Sequence, residues 1–139
     1  MRFPELDTIR TFPFNTRVPA LVLALAAAAA SGQATAHHGW AWAEDEQSTL
    51  TGKIQSISMN APHPTLQVSD AAGATWQIDL GNPNQTERSG FAADSAKAGD
   101  SITVLGNRNR DRERNHMKAV RITIAGKNFD MYPERITSK

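Results

Sequence analysis

The segment from Thr65 to Leu80 restricts this chain more than any other. Leu66 and Val68 alternate with Thr65, Gln67 and Ser69, and Trp76, Ile78 and Leu80 alternate with Thr75, Gln77 and Asp79. A period of two puts one set of side chains on a core and the other on solvent, which a helix with 3.6 residues per turn cannot do. Asp70-Ala71-Ala72-Gly73 lies between the two runs and supplies the turn chemistry of a hairpin. The fold is therefore expected to be all-β.

Three further strands follow from the same pattern. Residues 48–59 carry Leu50, Ile54 and Ile57, and the step of three between the two isoleucines predicts a bulge that restores the inward face. Ile102 and Val104 mark a strand over 101–106, and Val120, Ile122 and Ile124 mark one over 117–125, alongside the hairpin strands 65–69 and 74–80. Between the third and fourth strands, Asn82-Pro83 offers an N-cap followed by proline at the first helical position, and Gly90 can end the turn. A short helix is expected over 83–89. Three strands, a helix and two strands, with a long bent first strand, fit a small five-stranded OB-like barrel. An SH3-like barrel or a plain meander remains open. Residues 37–47 read as an irregular arm. Gly106–Asn115 reads as a charged loop, and 126–139 as a tail packing through Phe129, Met131 and Tyr132.

The first 36 residues are expected to lie outside the domain. Arg2, Arg10 and Arg17 precede a 13-residue apolar run, Val18 to Ala30, and Ala34-Thr35-Ala36 provides a small-x-small cleavage site. This is the organisation of a secretory signal peptide. A span would need about 20 apolar residues. The expected compartment is the periplasm, with cleavage after Ala36, or alternatively after Ala34. Cleavage after Ala36 leaves 103 residues, with 12 basic and 12 acidic side chains. Such a chain suits neither a strongly basic nucleic-acid binder nor an acidic tail protein. The absence of cysteine excludes disulfides, thiolate zinc sites, Fe–S clusters and a cysteine nucleophile.

Several segments resemble the DUF6152 family of small exported bacterial proteins. They are His37-His38-Gly39, Leu50-Thr51-Gly52-Lys53-Ile54, Ala61-Pro62-His63, Leu80-Gly81-Asn82-Pro83-Asn84 and the run from Ala98 to Gly106. Where the family places Asn-Pro-His in the first loop, this chain has Ala61 and keeps Pro62 and His63. The resemblance implies an OB-like fold and export. It implies no reaction.

Four histidines carry the candidate chemistry: His37, His38, His63 and His116. All lie outside the expected strands, and in an OB barrel the loops holding His63 and His116 flank one region. Cleavage after Ala36 would free the amine of His37, whose pKa near ~7.7–8.0 leaves it partly neutral. Amine and imidazole then chelate one metal ion, and planar, nitrogen-rich ligation suits Cu(II) best. The arrangement resembles the histidine brace of exported copper proteins. Cleavage after Ala34 would place His37 third from a free amine, which also suits Cu(II). A plain polar terminus is the alternative. Met59 and Met117 could serve Cu(I), although core packing is the more usual role of methionine.

The loop from Arg108 to Arg114 interleaves Asp111 and Glu113 with its arginines, and the outward positions of the second and third strands hold no aromatic stacking platform. It reads as a solvated loop rather than a nucleic-acid site. No nucleophile elbow, His-Glu-x-x-His or phosphate loop is present. The sequence thus points away from an enzyme, towards an exported binding protein with copper as the leading ligand. A metal-free module binding an oligosaccharide, protein or other envelope component is the other reading.

Overall fold

The structure, a computed structural model, describes residues 39–137. The proposed signal peptide and His37 and His38 lie outside the described residues. Six strands follow in order: β1 (Ala43–Ser58), β2 (Thr65–Asp70), β3 (Thr75–Asp79), β4 (Ser101–Asn109), β5 (His116–Ile124) and β6 (Lys127–Asp130). Helix α1 (Pro83–Arg88) sits between β3 and β4, and a 3-10 turn (Pro133–Arg135) closes the tail.

β1 is the spine of the sheet. Its second half pairs with β2, and Ala43–Lys53 pairs with β4, both antiparallel. β2–β3 and β4–β5 are also antiparallel pairs. The ring closes where β3 meets β5 in parallel, with Gln77 opposite His116 and Asp79 opposite Lys118. A five-stranded ring with this connectivity, and a helix between its third and fourth strands, is an OB-like barrel.

The anticipated bulge is present, because the β1–β2 register shifts between Ile54 and Ser56. Without it, Ile54 and Ile57 would face opposite sides. Instead Ile54 is buried and Ile57 packs partly buried against the same core. Leu66, Val68, Trp76, Ile78, Leu80, Ile102, Val104, Val120, Ile122 and Ile124 fill that core as their alternation requires. Leu50 is the exception and is only half-buried at its edge. Each fully buried aliphatic chain contributes roughly 1.5–3 kcal/mol.

Helix α1 starts as the sequence indicates. The Asn82 side chain accepts from the Gln85 N–H (2.9 Å), and Gln85 Oε1 accepts from the Asn82 N–H (3.1 Å), a reciprocal capping box. Gly90, at φ +83°, turns the chain out of the helix. Phe91 then enters the core and meets Phe129 edge-on at 5.4 Å.

Two boundaries differ from the sequence reading. β1 begins at Ala43, inside the segment read as an irregular arm, and β4 runs on to Asn109. The acids Glu44, Asp45 and Glu46 give no alternation, but the Asn107 amide of β4 reaches the carbonyls of all three at 3.0–3.4 Å. The β1–β4 register breaks between Ala43 and Gln47, and an amide side chain spanning that break leaves no mark in the hydropathy pattern. The tail packs as expected through Phe129, Met131 and Tyr132, and Lys127–Asp130 adds a sixth strand on the edge of β5.

Candidate functional site

The seam joining β3 to β5 carries the site. Gln77 and Asp79 of β3 share its outer face with His116 and Lys118 of β5, while Ile78 and Met117 turn into the core. An outer face would ordinarily be wet, yet Asp79 and Lys118 are buried. The arm and tail form the roof. The Trp42 ring lies parallel to the His116 imidazole at 4.0 Å between centroids. Trp40 meets Tyr132 edge-on at 4.9 Å, and the Lys118 ammonium sits 5.9 and 5.7 Å from those two rings.

His63, in the loop between β1 and β2, enters this seam from the side. Its Nε2 lies 3.1 Å from Asp79 Oδ2, and His116 Nε2 lies 3.0 Å from the same oxygen. His63 and His116 thus converge on a carboxylate, which the barrel topology allows, and His116, expected outside the strands, is the first residue of β5. The other carboxylate oxygen accepts from the Gln77 amide at 2.9 Å. The two imidazole contacts are not equivalent. That of His63 meets hydrogen-bond geometry, whereas His116 Nε2 is buried and meets the carboxylate as a close polar contact.

Asp79 is ionised. Burial alone would raise its pKa, but the His116 contact, the Gln77 amide and the Lys118 charge outweigh that and hold it below the usual value. His63 is pushed below its ordinary value, first by burial, then by Lys118, with Asp79 acting in the opposite direction. Lys118 is lowered by burial, and Asp79 partly restores it.

Ring tautomers follow from the partners. An ionised carboxylate only accepts, so the His63 proton sits on Nε2. Its Nδ1 then carries a lone pair and belongs to a side chain one-third exposed. For His116 the marker is Asn109. Its Oδ1 accepts from the Asp111 N–H at 2.9 Å, which leaves Nδ2 facing His116 Nδ1 at 3.2 Å. Nδ1 of His116 is therefore the acceptor, and its proton also sits on Nε2, beside Asp79.

Of the other sequence candidates, Met117 is buried in the core and Met59 is exposed. The arginine loop is neutralised locally. Arg110 pairs with Asp45 at 3.3 Å, Arg112 pairs with Glu44, and Arg114 pairs with Asp111 at 3.2 Å. Arg108 lies over the Trp76 ring at 4.5 Å. Among the described residues, no three His, Asp or Glu side chains are arranged to hold a metal ion. Any metal at this seam would draw donors from outside them, and His37 stands only five residues before Trp42. At about 3.3–3.6 Å per extended residue, that tether reaches at most ~18 Å.

Sequence reasoning missed Asp79, Lys118, Asn109 and Trp42. Asp79 was expected on the solvent face, and it does lie opposite Ile78 and Leu80, but the arm covers that face. The available signal was topological: a parallel closing pair puts the ends of the third and fifth strands side by side.

Solved structures show only distant likeness. The S. pombe Stn1-Ten1 complex aligns at a TM-score of 0.48 and 18% identity, covering 58% of this chain and 59% of that one. TiaS in complex with agmatine aligns at 0.44 and 12%, covering 57% of this chain and 21% of the other. The chain thus spans less than two thirds of either relative. No curated protein matches. Among the described residues no helix is long and apolar enough to cross a membrane. A family model described as a family of unknown function, DUF6152, matches residues 24–118. That match covers more than half of the chain, and the protein belongs to the DUF6152 family.

Proposed function

We propose that the protein is an exported, non-enzymatic binding protein that takes up one Cu(II) ion at the β3–β5 seam, using the processed amino terminus of His37 together with loop histidine nitrogen. The observation that carries this reading is the meeting of His63 and His116 at Asp79, beneath the arm that leads back to His37 and His38. Three features support it. The His37 amine and imidazole form a chelate from one residue once the chain is cut after Ala36. His63 adds a neutral imidazole with a free lone pair. An all-nitrogen donor set of this kind favours Cu(II) over Zn(II) and over the hard cations. Trp42, stacked on His116, ties the arm down a few residues from the metal and shortens the search for the loop ligand.

The test is a Cu(II) titration of protein beginning at His37, read by quenching of tryptophan fluorescence. It is run beside protein carrying one extra residue before His37. The expected result is one equivalent bound at sub-micromolar free Cu(II), weakened at least tenfold by the extension. Equal binding by both forms would remove the amino terminus from the site. No binding at micromolar Cu(II) would remove copper and leave the metal-free envelope module, whose ligand would be sought without metal.

A further inference from the structure

We infer that the protein carries a second ligand site, independent of copper: a groove over the outer face of β1, β4 and β5 that binds an acidic oligosaccharide. Strand register assembles its first element. Thr51 of β1 stands opposite Thr103 of β4, Thr103 opposite Thr123 of β5, and Thr123 opposite Asn128 of β6. Ile102 and Ile124, the neighbours of these threonines along their strands, are buried, so the threonines face outward. Adjacent strands lie about 4.7–4.9 Å apart, and three hydroxyls and an amide therefore form one evenly spaced polar row. Threonine favours strands, which accounts for each residue singly. It does not account for the groove that the row lines.

Thr51, Thr103 and Thr123 line a depression of about 310 Å³. A second, of about 470 Å³, is lined by Ser95, Lys97, Asp100, Lys127 and Phe129. The two share a wall at Ser101 and Ala125. At that wall Lys53 Nζ donates to Ser101 Oγ at 2.8 Å. Of the described residues lining either depression, Asp100 is the one acid. It is already engaged, accepting from the Lys97 N–H at 2.9 Å and pairing with the Lys97 ammonium at 3.3 Å. Lys53, Lys97 and Lys127 against one occupied carboxylate leave the groove cationic. Hydroxyls donate to and accept from a polyhydroxyl ligand, and the ammonium groups select one that carries carboxylates.

The shared wall has an unusual backbone. Two residues join β5 to β6, Ala125 at φ +49° and Gly126 at φ +78°. Positive φ at both positions belongs to a type I′ turn, where Asn or Asp normally stands first. Alanine is strained in that region, and strain of this kind is kept where a site uses it. A longer side chain at 125 would stand between the two depressions. Alanine leaves the passage open.

The test titrates tetragalacturonate, cellotetraose and inorganic triphosphate in turn into metal-free protein recovered from an exporting cell. Calorimetry reads affinity, and amide NMR on the wild type locates the ligand without needing any variant to fold. Tetragalacturonate should bind and shift the amides of Thr51, Ser101, Thr103, Thr123 and Ala125, more weakly as salt is raised. The neutral sugar and the plain anion should each bind about tenfold more weakly or worse. Thr103→Val, which stays β-branched and loses one hydroxyl, should weaken tetragalacturonate roughly 2–10-fold. Ala125→Asn should raise the melting temperature by relieving the turn while removing most of the binding. Equal affinity for triphosphate would reduce the groove to a cationic patch, and equal affinity for cellotetraose would remove the lysines from it. Either result overturns the assignment, as do a wild type that ignores tetragalacturonate, amide shifts confined to other faces, and an Ala125→Asn protein that binds unchanged. Cu(II) uptake is measured apart from all of these, so the two readings fail separately.

Discussion

Replacing Gly52 with alanine tests the barrel geometry at one of its closest strand approaches. Gly52 pairs with Asp70 of β2 on one side and with Ile102 of β4 on the other. A Cβ there would press into the Ser69 carbonyl oxygen and come within 2.7 Å of Val68 Cγ1. Val68 is fully buried, and the Ser69 carbonyl belongs to the neighbouring strand's main chain, so neither can simply swing aside. Two effects oppose each other. Removing a glycine from the unfolded chain stabilises by ~0.4–1 kcal/mol where the native backbone allows alanine. Forcing a methyl into a filled core costs ~1–3 kcal/mol or more. The clash is with backbone, so the second effect wins, for a net loss of about 1–2 kcal/mol. In a domain of this size that corresponds to a fall in Tm of roughly 4–16 °C. Thermal melts followed by circular dichroism would read it. Gly39→Ala is the control, because nothing lies within 4 Å of its added Cβ. A Gly52→Ala variant that melts at or above wild type would show that the β1–β2 approach is not as close as described.

Ile122 is fully buried, so Ile122→Ala should cost about 2–5 kcal/mol in urea unfolding; a cost under ~1 kcal/mol would place it outside the core. Asn82→Ala should remove the capping box and cost about 0.5–2 kcal/mol, and an unchanged midpoint would mean that α1 does not depend on its cap. Stability of the metal-free protein should fall with pH in two stages. His63 has a folded pKa below its ordinary 6.5, so its contribution is complete above that value and lost as pH drops through the folded one. Asp70, Asp79, Asp100 and Asp130 all titrate below their ordinary 3.8 in the fold and add a second loss below about pH 4. Asp70 is held down first by the Trp76 indole N–H and then by the Ala74 N–H, so Asp70→Asn should flatten the second stage; an unchanged acid profile would contradict that pairing.

The parts of the fold governed by hydropathy were legible in the sequence. Alternation located β2 and β3, the odd step from Ile54 to Ile57 located the bulge, and Asn82-Pro83 located α1. Pairing that depends on main chain or on amide side chains was not. The carbonyls of acidic residues 44–46 are held by the Asn107 side chain across a break in the β1–β4 register, which no residue pattern signals. The site divides along the same line. Topology allowed His63 and His116 to meet, since two loops of an OB barrel share one end, but only the closing β3–β5 pair brings them onto one carboxylate. The burial of Asp79 did not, because its face is exposed in the barrel alone and becomes enclosed only when Trp40, Trp42 and Tyr132 are laid over it. A polar residue in a clean alternation is read as solvent-facing, and a roof drawn from distant sequence defeats that reading.

Native mass spectrometry of protein recovered from an exporting cell grown with copper tests the central claim most directly, since it reads processing and loading in one spectrum. The account predicts a chain that begins at His37 and carries one copper ion, with the ion absent from the His63→Phe variant. A chain correctly cut before His37 that carries no copper, and takes up none when micromolar Cu(II) is added, would contradict it.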